Sequence, residues 1–252
     1  MAAFAVLCFV AYGGYKLLED PQNQFFGKTV SSGPADRKVV ALTYDDGPNP
    51  PYTDRILDEL KELDVKATFF VVGRAAQAHP GEVRRIVAEG HAIGNHTWDH
   101  SHLLVQTPHQ IHEELSKTDD TIFAATGVRT RLMRPPFGAR DFAVIDQARK
   151  DGYSVIMWSV PLPKDWEQPG DMTIAKRVLA HVKDGSIIVL HDGNRGMLCT
   201  PKTRKRCDRS QDVGATRIII TSLRAQGYQF VTIPQLMAMH RESSSITHTV
   251  SH

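Results

Sequence analysis

The feature of the sequence that most limits its fold is a regular alternation of strand-like and helix-like segments from residue 38 onward. A short apolar run at 39–44 leads into an Asp-Gly-Pro turn, and the segment 52–63 then repeats apolar residues at helical spacing. Seven strand-like segments occur, at 39–44, 67–72, 91–96, 131–134, 154–159, 186–191 and 229–233. Strands that alternate with helices predict an α/β fold with a largely parallel sheet, either open or closed into a barrel.

Between these strands the apolar residues recur every three or four positions, which is typical of amphipathic helices. A helix that contains Val83, Ile86 and Val87 is expected to end at Gly90. The other helices are predicted at 52–63, 108–125, 142–150, 174–182 and 214–225. The sequence contains no internal repeat, so one single-domain α/β unit is the simplest interpretation.

Length, composition and charge agree with this interpretation. The 252 residues suit one domain of α/β-barrel size, and 41% hydrophobic with 23% charged residues is ordinary for a globular protein. The net charge of +2 is small, and the sequence has no basic run rich in aromatic residues. Nucleic acid is therefore not an expected partner.

The two ends of the chain depart from the alternating pattern. Residues 2–15 carry no charge, and we interpret 1–20 as a hydrophobic membrane-anchor or signal-like segment, with a buried helix of the domain as the alternative. Residues 21–37 are predicted to form a linker, 38–240 the folded domain, and 241–252 a mobile tail. Membrane anchoring through the N-terminus and an extracytoplasmic location are the corresponding expectations.

Two cysteines, Cys199 and Cys207, bracket a basic and polar stretch near the end of the domain. They could form a disulfide in an oxidising compartment, or they could be two free thiols. A metal site at this place would need further ligands, and the stretch between the cysteines supplies none.

The polar residues of chemical interest follow the carboxyl ends of the predicted strands. In parallel α/β architectures this edge of the sheet is where ligands bind. The clusters are Asp45 and Asp46 after the first strand, His96 and His100 after the third, Arg134 at the fourth, Asp165 past the fifth, and His191 at the sixth. Five clusters at one edge predict a functional site there.

Two of these clusters together suggest a metal centre. His96 and His100 are four residues apart in a segment where a turn could bring both imidazoles to one side. Two imidazoles and one carboxylate leave a divalent ion with open positions, which is typical of catalytic metal sites. The adjacent carboxylates of Asp45 and Asp46 would both ionise if a metal neutralised one and an arginine the other. A surface or capping role is the alternative for the histidines, and a capping turn for the aspartates.

Six other histidines lack such a context, and we expect them to be ordinary surface or core residues. They are His79, His91, His102, His109, His112 and His181.

Five segments of the chain resemble, in order and approximate spacing, the motifs of the polysaccharide deacetylases, the NodB-homology group of carbohydrate esterases (family 4). The segments are Thr43-Tyr44-Asp45-Asp46-Gly47-Pro48, His96-Thr97-Trp98-Asp99-His100, Arg134-Pro135-Pro136-Phe137-Gly138, Asp165-Trp166 and Leu190-His191-Asp192. The resemblance covers about residues 38–236. It implies a distorted (β/α) barrel of about seven parallel strands, with 38–240 as the catalytic domain and the active site at the carboxyl ends of the strands.

The resemblance also implies a role for each matching residue. Asp46, His96 and His100 would bind a divalent metal, with Zn²⁺ expected first and Co²⁺, Mn²⁺ or Ni²⁺ as alternatives. Such an ion lowers the pKa of a water and stabilises a developing oxyanion. Asp45 would act as the general base, and Arg134 would orient it through two hydrogen bonds to its carboxylate.

On the other side of the implied site, His191 would protonate the leaving amine, and Asp165 would keep it oriented and charged. The backbone N–H of Phe137 would be a second oxyanion donor. Trp166 and Leu190 would line the pocket for the acetyl methyl group.

This chain departs from the family pattern at several positions. Ser101 follows the second histidine where proline is common, and Phe137 stands where tyrosine is common. Trp158 could join the pocket wall, although a core position is the simpler interpretation. The segment 160–164 is rich in proline, and 196–209 resembles an insertion close enough to the site to touch a long substrate. No catalytic group is lost through these differences.

The sequence thus predicts a metal-dependent hydrolase that removes N-acetyl groups from an amino-sugar polymer such as peptidoglycan, a chitin-like oligomer or an exopolysaccharide. One alternative is an esterase that removes O-acetyl groups from a polysaccharide such as xylan. Another is a catalytically inactive glycan-binding protein on the same fold. The expected partner is an N-acetylated glycan, and the chain is expected to act as a monomer.

Overall fold

The computed structural model describes residues 20–240. The predicted tail at 241–252 lies outside the described residues, as does the predicted anchor or signal-like segment except for Asp20. Within the described range, none of the helices combines the length and apolar character that a bilayer crossing requires.

Seven strands and eight helices make up the described part of the chain. The strands are β1 (Val39–Asp45), β2 (Thr68–Val71), β3 (Ala92–Asn95), β4 (Leu132–Met133), β5 (Ser154–Val155), β6 (Ser186–His191) and β7 (Gln229–Phe230). The helices are α1 (Tyr52–Glu62), α2 (Gly73–Ala78), α3 (Pro80–Ala88), α4 (Pro108–Thr126), α5 (Phe142–Lys150), α6 (Asp171–Leu179), α7 (Arg204–Cys207) and α8 (Ser210–Ala225). Short 3-10 turns lie at Leu103–Val105, Pro136–Gly138 and Asp165–Glu167.

The strands form one parallel sheet in the order β5-β4-β3-β2-β1-β6, and β7 pairs with the start of β1. The chain just after β5 meets the other edge of the sheet, because the Ser159 N–H donates to the Ile187 carbonyl at 3.2 Å. This contact accompanies the curling of the sheet into an irregular barrel. The predicted distorted (β/α) barrel with about seven parallel strands is confirmed.

Strand β1 shows how the barrel separates its two cores. Its residues Val40, Leu42 and Tyr44 belong to the cluster that the outer helices cover. Val39 and Ala41, which alternate with them along the strand, belong to a second cluster. This cluster includes residues from other strands and fills the barrel. Alternate residues of a strand point to opposite faces. Asp45, two residues beyond Thr43 on the inner face, therefore points into the barrel at its carboxyl end.

Residues 21–37, for which the sequence predicts a linker, pack against the barrel. The Val30 N–H donates to the Val155 carbonyl at 2.9 Å, and the Met157 N–H donates back to the Val30 carbonyl at 2.7 Å. The Gly33 N–H donates to the Gly185 carbonyl at 2.7 Å. The segment thus fills the seam between β5 and β6. Its apolar and polar residues do not alternate as they would in a half-buried strand, so the sequence does not predict its contacts with both edges of the sheet.

Several element boundaries differ from the sequence prediction. The strands predicted at 131–134, 154–159 and 229–233 are each only two residues long in the structure. Helix α2 was not predicted. Its six residues are too few to display a helical period.

Gly94 in β3 is a position where the fold permits no side chain. A Cβ placed there would lie 2.5 Å from the ring of Phe70. That ring is packed against the guanidinium of Arg134, whose Cζ is 4.2 Å from the ring centroid. A displaced Phe70 would therefore disturb the barrel interior below the site.

We predict that Gly94→Ala lowers the free energy of unfolding by about 1–3 kcal/mol, the usual effect of overpacking a core. Urea denaturation measures this change. The matched control is Gly81→Ala in α3, where a Cβ would meet no atom within 4 Å. Alanine in a helix is favoured over glycine, so the control should be neutral or slightly more stable. Equal effects of the two substitutions would contradict the prediction.

Candidate active site

A cavity of about 650 Å³ opens at the carboxyl ends of the strands. Asp45, Asp46, His96, His100 and His191 line it together. Arg134 and Asp165 lie buried directly behind its wall. The predicted clusters therefore converge on one cavity.

Asp46, His96 and His100 form a compact triad. Asp46 Oδ1 lies 3.4 Å from His96 Nε2 and 3.1 Å from His100 Nε2. All three residues are buried, and one ligand atom from each lies within 4.8 Å of the others. Within residues 20–240, this is the group of histidine, cysteine and acidic residues whose geometry could hold a metal ion.

The chemistry of this donor set fits a divalent cation. His96 Nδ1 is 2.7 Å from the Arg134 carbonyl, to which it donates, so that Nε2 keeps its lone pair for a metal. Asp46 Oδ1 is buried but accepts no hydrogen bond from the described residues. Burial alone would raise the pKa of Asp46, but the imidazoles of His100 and His96 lower it well below its usual range. Burial lowers the pKa of His100, which favours its neutral, ligating form.

The loops around the cavity adopt an uncommon backbone conformation. Asp46, Thr97, His100 and Phe137 have φ angles of 79°, 65°, 62° and 61°, in the left-handed region. Seven of the eight described non-glycine residues with positive φ line this cavity or lie within three residues of a group that does. Such strain concentrates at functional sites, where surrounding contacts enforce it.

The turn between the two histidines is held from both sides. The Gly73 N–H at the start of α2 donates to the Thr97 carbonyl at 2.9 Å, and the Arg74 N–H donates to the Trp98 carbonyl at 2.9 Å. The Trp98 N–H donates to the Glu114 carboxylate at 2.8 Å. These bonds fold the segment back so that His100 reaches Asp46. The unpredicted helix α2 is therefore part of the support of the triad.

Arg134 is fully buried beside Asp45. Its Nη1 donates to Asp45 Oδ1 at 2.7 Å and to Thr43 Oγ1 at 2.8 Å. Its Nε and Nη2 donate to the carbonyls of Ile156 and Met157 at 3.3 and 3.1 Å. The expected pair of hydrogen bonds to the carboxylate is thus corrected to a single one. The remaining donors bind main-chain carbonyls just beyond β5.

His191 and Asp165 form the second pair. His191 Nδ1 lies 2.9 and 3.0 Å from the two carboxylate oxygens, and the His191 N–H donates to Oδ2 at 2.8 Å. Burial lowers the pKa of His191, but Asp165, with smaller contributions from Asp46 and Asp45, raises it to about 9. His191 is therefore protonated at neutral pH, with Nε2 directed toward the cavity.

Behind this pair lie further buried polar residues, of which Asp212 and Arg209 belong to no sequence motif. Burial and the neighbouring Asp165 raise the pKa of Asp212 well above its usual range, which favours its protonated form. Arg209 is buried next to both, and its Nε donates to the Gly193 carbonyl at 2.7 Å. Asp192 accepts from Thr53 Oγ1 at 2.6 Å, and burial raises its pKa to about 7. Asp212 and Arg209 belong to α8 and the turn before it, and only the tertiary fold brings them to the site.

The apolar wall differs from the predicted one at one position. Leu190 is fully buried in the outer core, facing away from the cavity. Val189 lines the cavity instead, because His191 points inward and only every second residue of β6 can share its face. Trp166 is 45% exposed, and its ring lies perpendicular to that of His191 at 5.6 Å. Trp158 is both a core residue and part of the cavity wall.

Phe137 projects from the opposite side of the cavity. Its ring is half exposed and lies 4.7 Å from that of His100. His102, which sequence reasoning left without a role, stacks on the same ring at 5.4 Å. Phe137 is thereby placed between the triad and the surface.

The insertion at 196–209 reaches this cavity as the sequence suggested, through the α7 residues Lys205 and Arg206. Cys199 and Cys207 are free thiols in the structure, the second of the two alternatives. The Cys199 thiol lies 3.2 Å from Asn49 Oδ1, and Cys207 is buried.

We predict that Asp165→Asn lowers the pKa of His191 well below 9. The substitution removes the carboxylate that raises this pKa, whereas burial of the imidazole still lowers it. The histidine would be protonated at pH 8 in the unmodified protein and largely neutral in the variant. NMR titration of the imidazole measures this. Asp146→Asn, an exposed substitution on α5, is the control and should leave the titration unchanged. An unaltered His191 titration in Asp165→Asn would show that another group sets its charge.

Comparison with known proteins gives a consistent result. The family model for polysaccharide deacetylase matches residues 32–156. A peptidoglycan-N-acetylglucosamine deacetylase of Bacillus cereus is 36% identical over 206 residues, covering 81% of this chain and 90% of that protein. A chitooligosaccharide deacetylase of Bradyrhizobium sp. is 38% identical over 203 residues, covering 79% of this chain and 90% of that protein.

A solved structure shows the same similarity in three dimensions. The crystal structure of the Bc1960 peptidoglycan N-acetylglucosamine deacetylase matches with a TM-score of 0.74 at 34% identity. The match covers 82% of this chain and 92% of that one.

Proposed function

Because the chain belongs to the polysaccharide deacetylase family, we propose that it removes N-acetyl groups from an amino-sugar polymer by metal-dependent hydrolysis. The observation that carries the proposal is the meeting of three units in one cavity: the triad of Asp46, His96 and His100, the Asp45–Arg134 pair and the His191–Asp165 pair. Together they offer a metal site, a base and an acid.

Asp46, His96 and His100 would hold the metal, and two imidazoles with one carboxylate favour Zn²⁺. When bound, the ion supplies Lewis-acid chemistry, polarising the acetyl carbonyl and making a water more acidic. The Phe137 N–H is our candidate for a further donor to the carbonyl oxygen.

Asp45 is the proposed general base. Arg134 occupies its Oδ1, which leaves Oδ2 to take the proton of the attacking water. The buried guanidinium also fixes the carboxylate in one orientation. Proton transfer to Oδ2 therefore needs no rearrangement of the Arg134 contact.

His191 is the proposed general acid. Asp165 holds Nδ1, so the proton on Nε2 is the one available to the leaving nitrogen. As that nitrogen is protonated, the carbon–nitrogen bond breaks, and acetate and a free amine result. Val189 and Trp166, which line the cavity beside His191, would receive the acetyl methyl group.

The charge on His191 favours an amide over an ester substrate. An amine leaves poorly unless it is protonated, whereas an alkoxide leaves more readily and depends less on an acid. A purely glycan-binding role is less well supported, because every group that hydrolysis needs is present. The similarity to peptidoglycan and chitooligosaccharide deacetylases supports peptidoglycan or a related glycan as the substrate, met outside the cytoplasm.

We predict acetate release from peptidoglycan or chitooligosaccharides, and much less from acetylated xylan. A chelator should abolish the release, and added Zn²⁺ should restore it, because the triad needs its ion. An enzymatic acetate assay measures the rates. If no substrate yields acetate after Zn²⁺, Co²⁺ or Mn²⁺ is added, the enzymatic proposal fails. Faster release from xylan would instead favour the O-acetyl esterase.

We predict that Asp45→Asn keeps its metal but loses at least about a hundredfold in kcat, because Asn still accepts from Arg134 but cannot take a proton. Elemental analysis measures the metal and acetate release the turnover. His100→Ala is the matched variant that should lose the metal itself, and Asp58→Asn, exposed on α1, should change neither. Loss of metal in Asp45→Asn would mean that the two aspartates have exchanged roles.

A further inference from the structure

Three exposed cations line the part of the cavity wall that follows β6, and no catalytic step uses them. Arg195, Lys205 and Arg206 line the same cavity as the triad, and all three side chains are exposed. Among residues 20–240, none of the carboxylates lies within ion-pair distance of them. Glu167, the acidic residue of this rim, is instead 3.7 Å from Lys164 Nζ. We call Arg195, Lys205 and Arg206 the basic rim.

The segment that carries Lys205 and Arg206 is fixed from several directions. Gln168 Nε2 donates to the Lys205 carbonyl at 2.7 Å, and Asn194 Nδ2 donates to the Arg206 carbonyl at 2.8 Å. Asn49 Nδ2 donates to the Cys207 carbonyl at 2.8 Å. These bonds come from three separate loops. They hold the main chain of α7 at the cavity mouth while its two basic side chains stay free.

Arg195 stands nearer to the triad. Its φ angle is 49°, and its carbonyl accepts from Arg74 Nη2 at 3.0 Å, so its main chain is held in a strained turn. Its guanidinium carbon lies 5.0 Å from the centroid of the Phe137 ring, which itself touches His100. The basic rim thus extends from beside the triad to α7.

The charges of the catalytic groups make the basic rim chemically informative. Asp45 is matched by Arg134, Asp165 by protonated His191, and a divalent ion would exceed the charge of Asp46. The three cations of the basic rim therefore add positive charge that no ion pair among residues 20–240 matches. A neutral sugar gains little from such an environment, whereas an anionic group placed there gains a charge-assisted hydrogen bond.

We infer that the basic rim binds carboxylates of the substrate, so that the enzyme selects an N-acetylated glycan with carboxylate groups beside the reacting sugar. The inference rests on the proposed deacetylase function and narrows its substrate class. Both a lactyl ether on a neighbouring sugar and a peptide attached to it would supply such a carboxylate.

The test compares three substrates: a neutral chitooligosaccharide, glycan strands with lactyl carboxylates but no peptides, and the same strands with peptides. For Lys205→Ala/Arg206→Ala, kcat/KM on carboxylate-bearing strands should fall roughly tenfold or more, because two charge-assisted contacts are lost. The value for the neutral oligosaccharide should change less than twofold. If kcat/KM falls more on the strands without peptides, the bound carboxylate is the lactyl group. If it falls more on the strands with peptides, the bound carboxylate belongs to the peptide.

Lys202→Ala/Arg204→Ala is the matched control, since it removes two cations from the same exposed segment that do not line the cavity. It should leave all three values unchanged. A second measurement needs no variant: added NaCl should lower kcat/KM of the unmodified enzyme on the carboxylate-bearing strands only, because salt screens exposed charges.

Equal losses on neutral and anionic substrates, or equal effects of the two double variants, would overturn the inference while leaving the deacetylase function intact. A salt response shared by the neutral oligosaccharide would do the same. Absence of acetate from every substrate with the unmodified, zinc-loaded enzyme would instead contradict the proposed function.

Discussion

The rest of the site depends on the burial of one guanidinium in the barrel. Arg134 satisfies its donors with Asp45, Thr43 and two main-chain carbonyls beyond β5, and its own carbonyl accepts from His96. One residue therefore orients both the proposed base and a proposed metal ligand. Removing one partner of a buried ion pair leaves an uncompensated charge, which typically costs about 3–5 kcal/mol. Arg134 is thus a structural requirement of the barrel as well as of the chemistry.

The sequence was sufficient for the topology and the position of the site, and insufficient for several details. Alternating segments predict parallel strands, and parallel strands bring their carboxyl ends together, so Asp46, His96 and His191 could be expected in one cavity. Leu190 was assigned to the cavity from a motif, although the period of two in β6 gives that place to Val189. Asp212 could not have been found, because a carboxylate on a distant helix acquires its neighbours only in the tertiary fold. The seam-filling role of residues 21–37 depends on hydrogen bonds of the main chain, which side-chain patterns do not encode.

The site gathers more carboxyl groups than its buried cations can match, and the structure resolves this in two ways. Asp212 and Asp192 have raised pKa values, which favours the protonated, hydrogen-bonding form in this part of the acidic cluster. Asp46 remains ionised and faces the imidazoles of the triad. The same low-dielectric surroundings therefore favour neutral carboxyl groups and charged ones within one site, and this difference separates supporting residues from those proposed to act in the chemistry.

The seam between β5 and β6 has a consequence for the order in which the molecule can be completed. Val30 pairs with residues around 155–157, Gly33 with Gly185, and β1 pairs along its whole length with β6. During synthesis, Val30, Gly33 and β1 therefore lack these partners until residues more than a hundred positions further along the chain have been made. Until β6 emerges, one edge of β1 is open and the barrel cannot close. Contacts of such sequence separation are expected to make folding slow and to leave the nascent chain dependent on protection from aggregation.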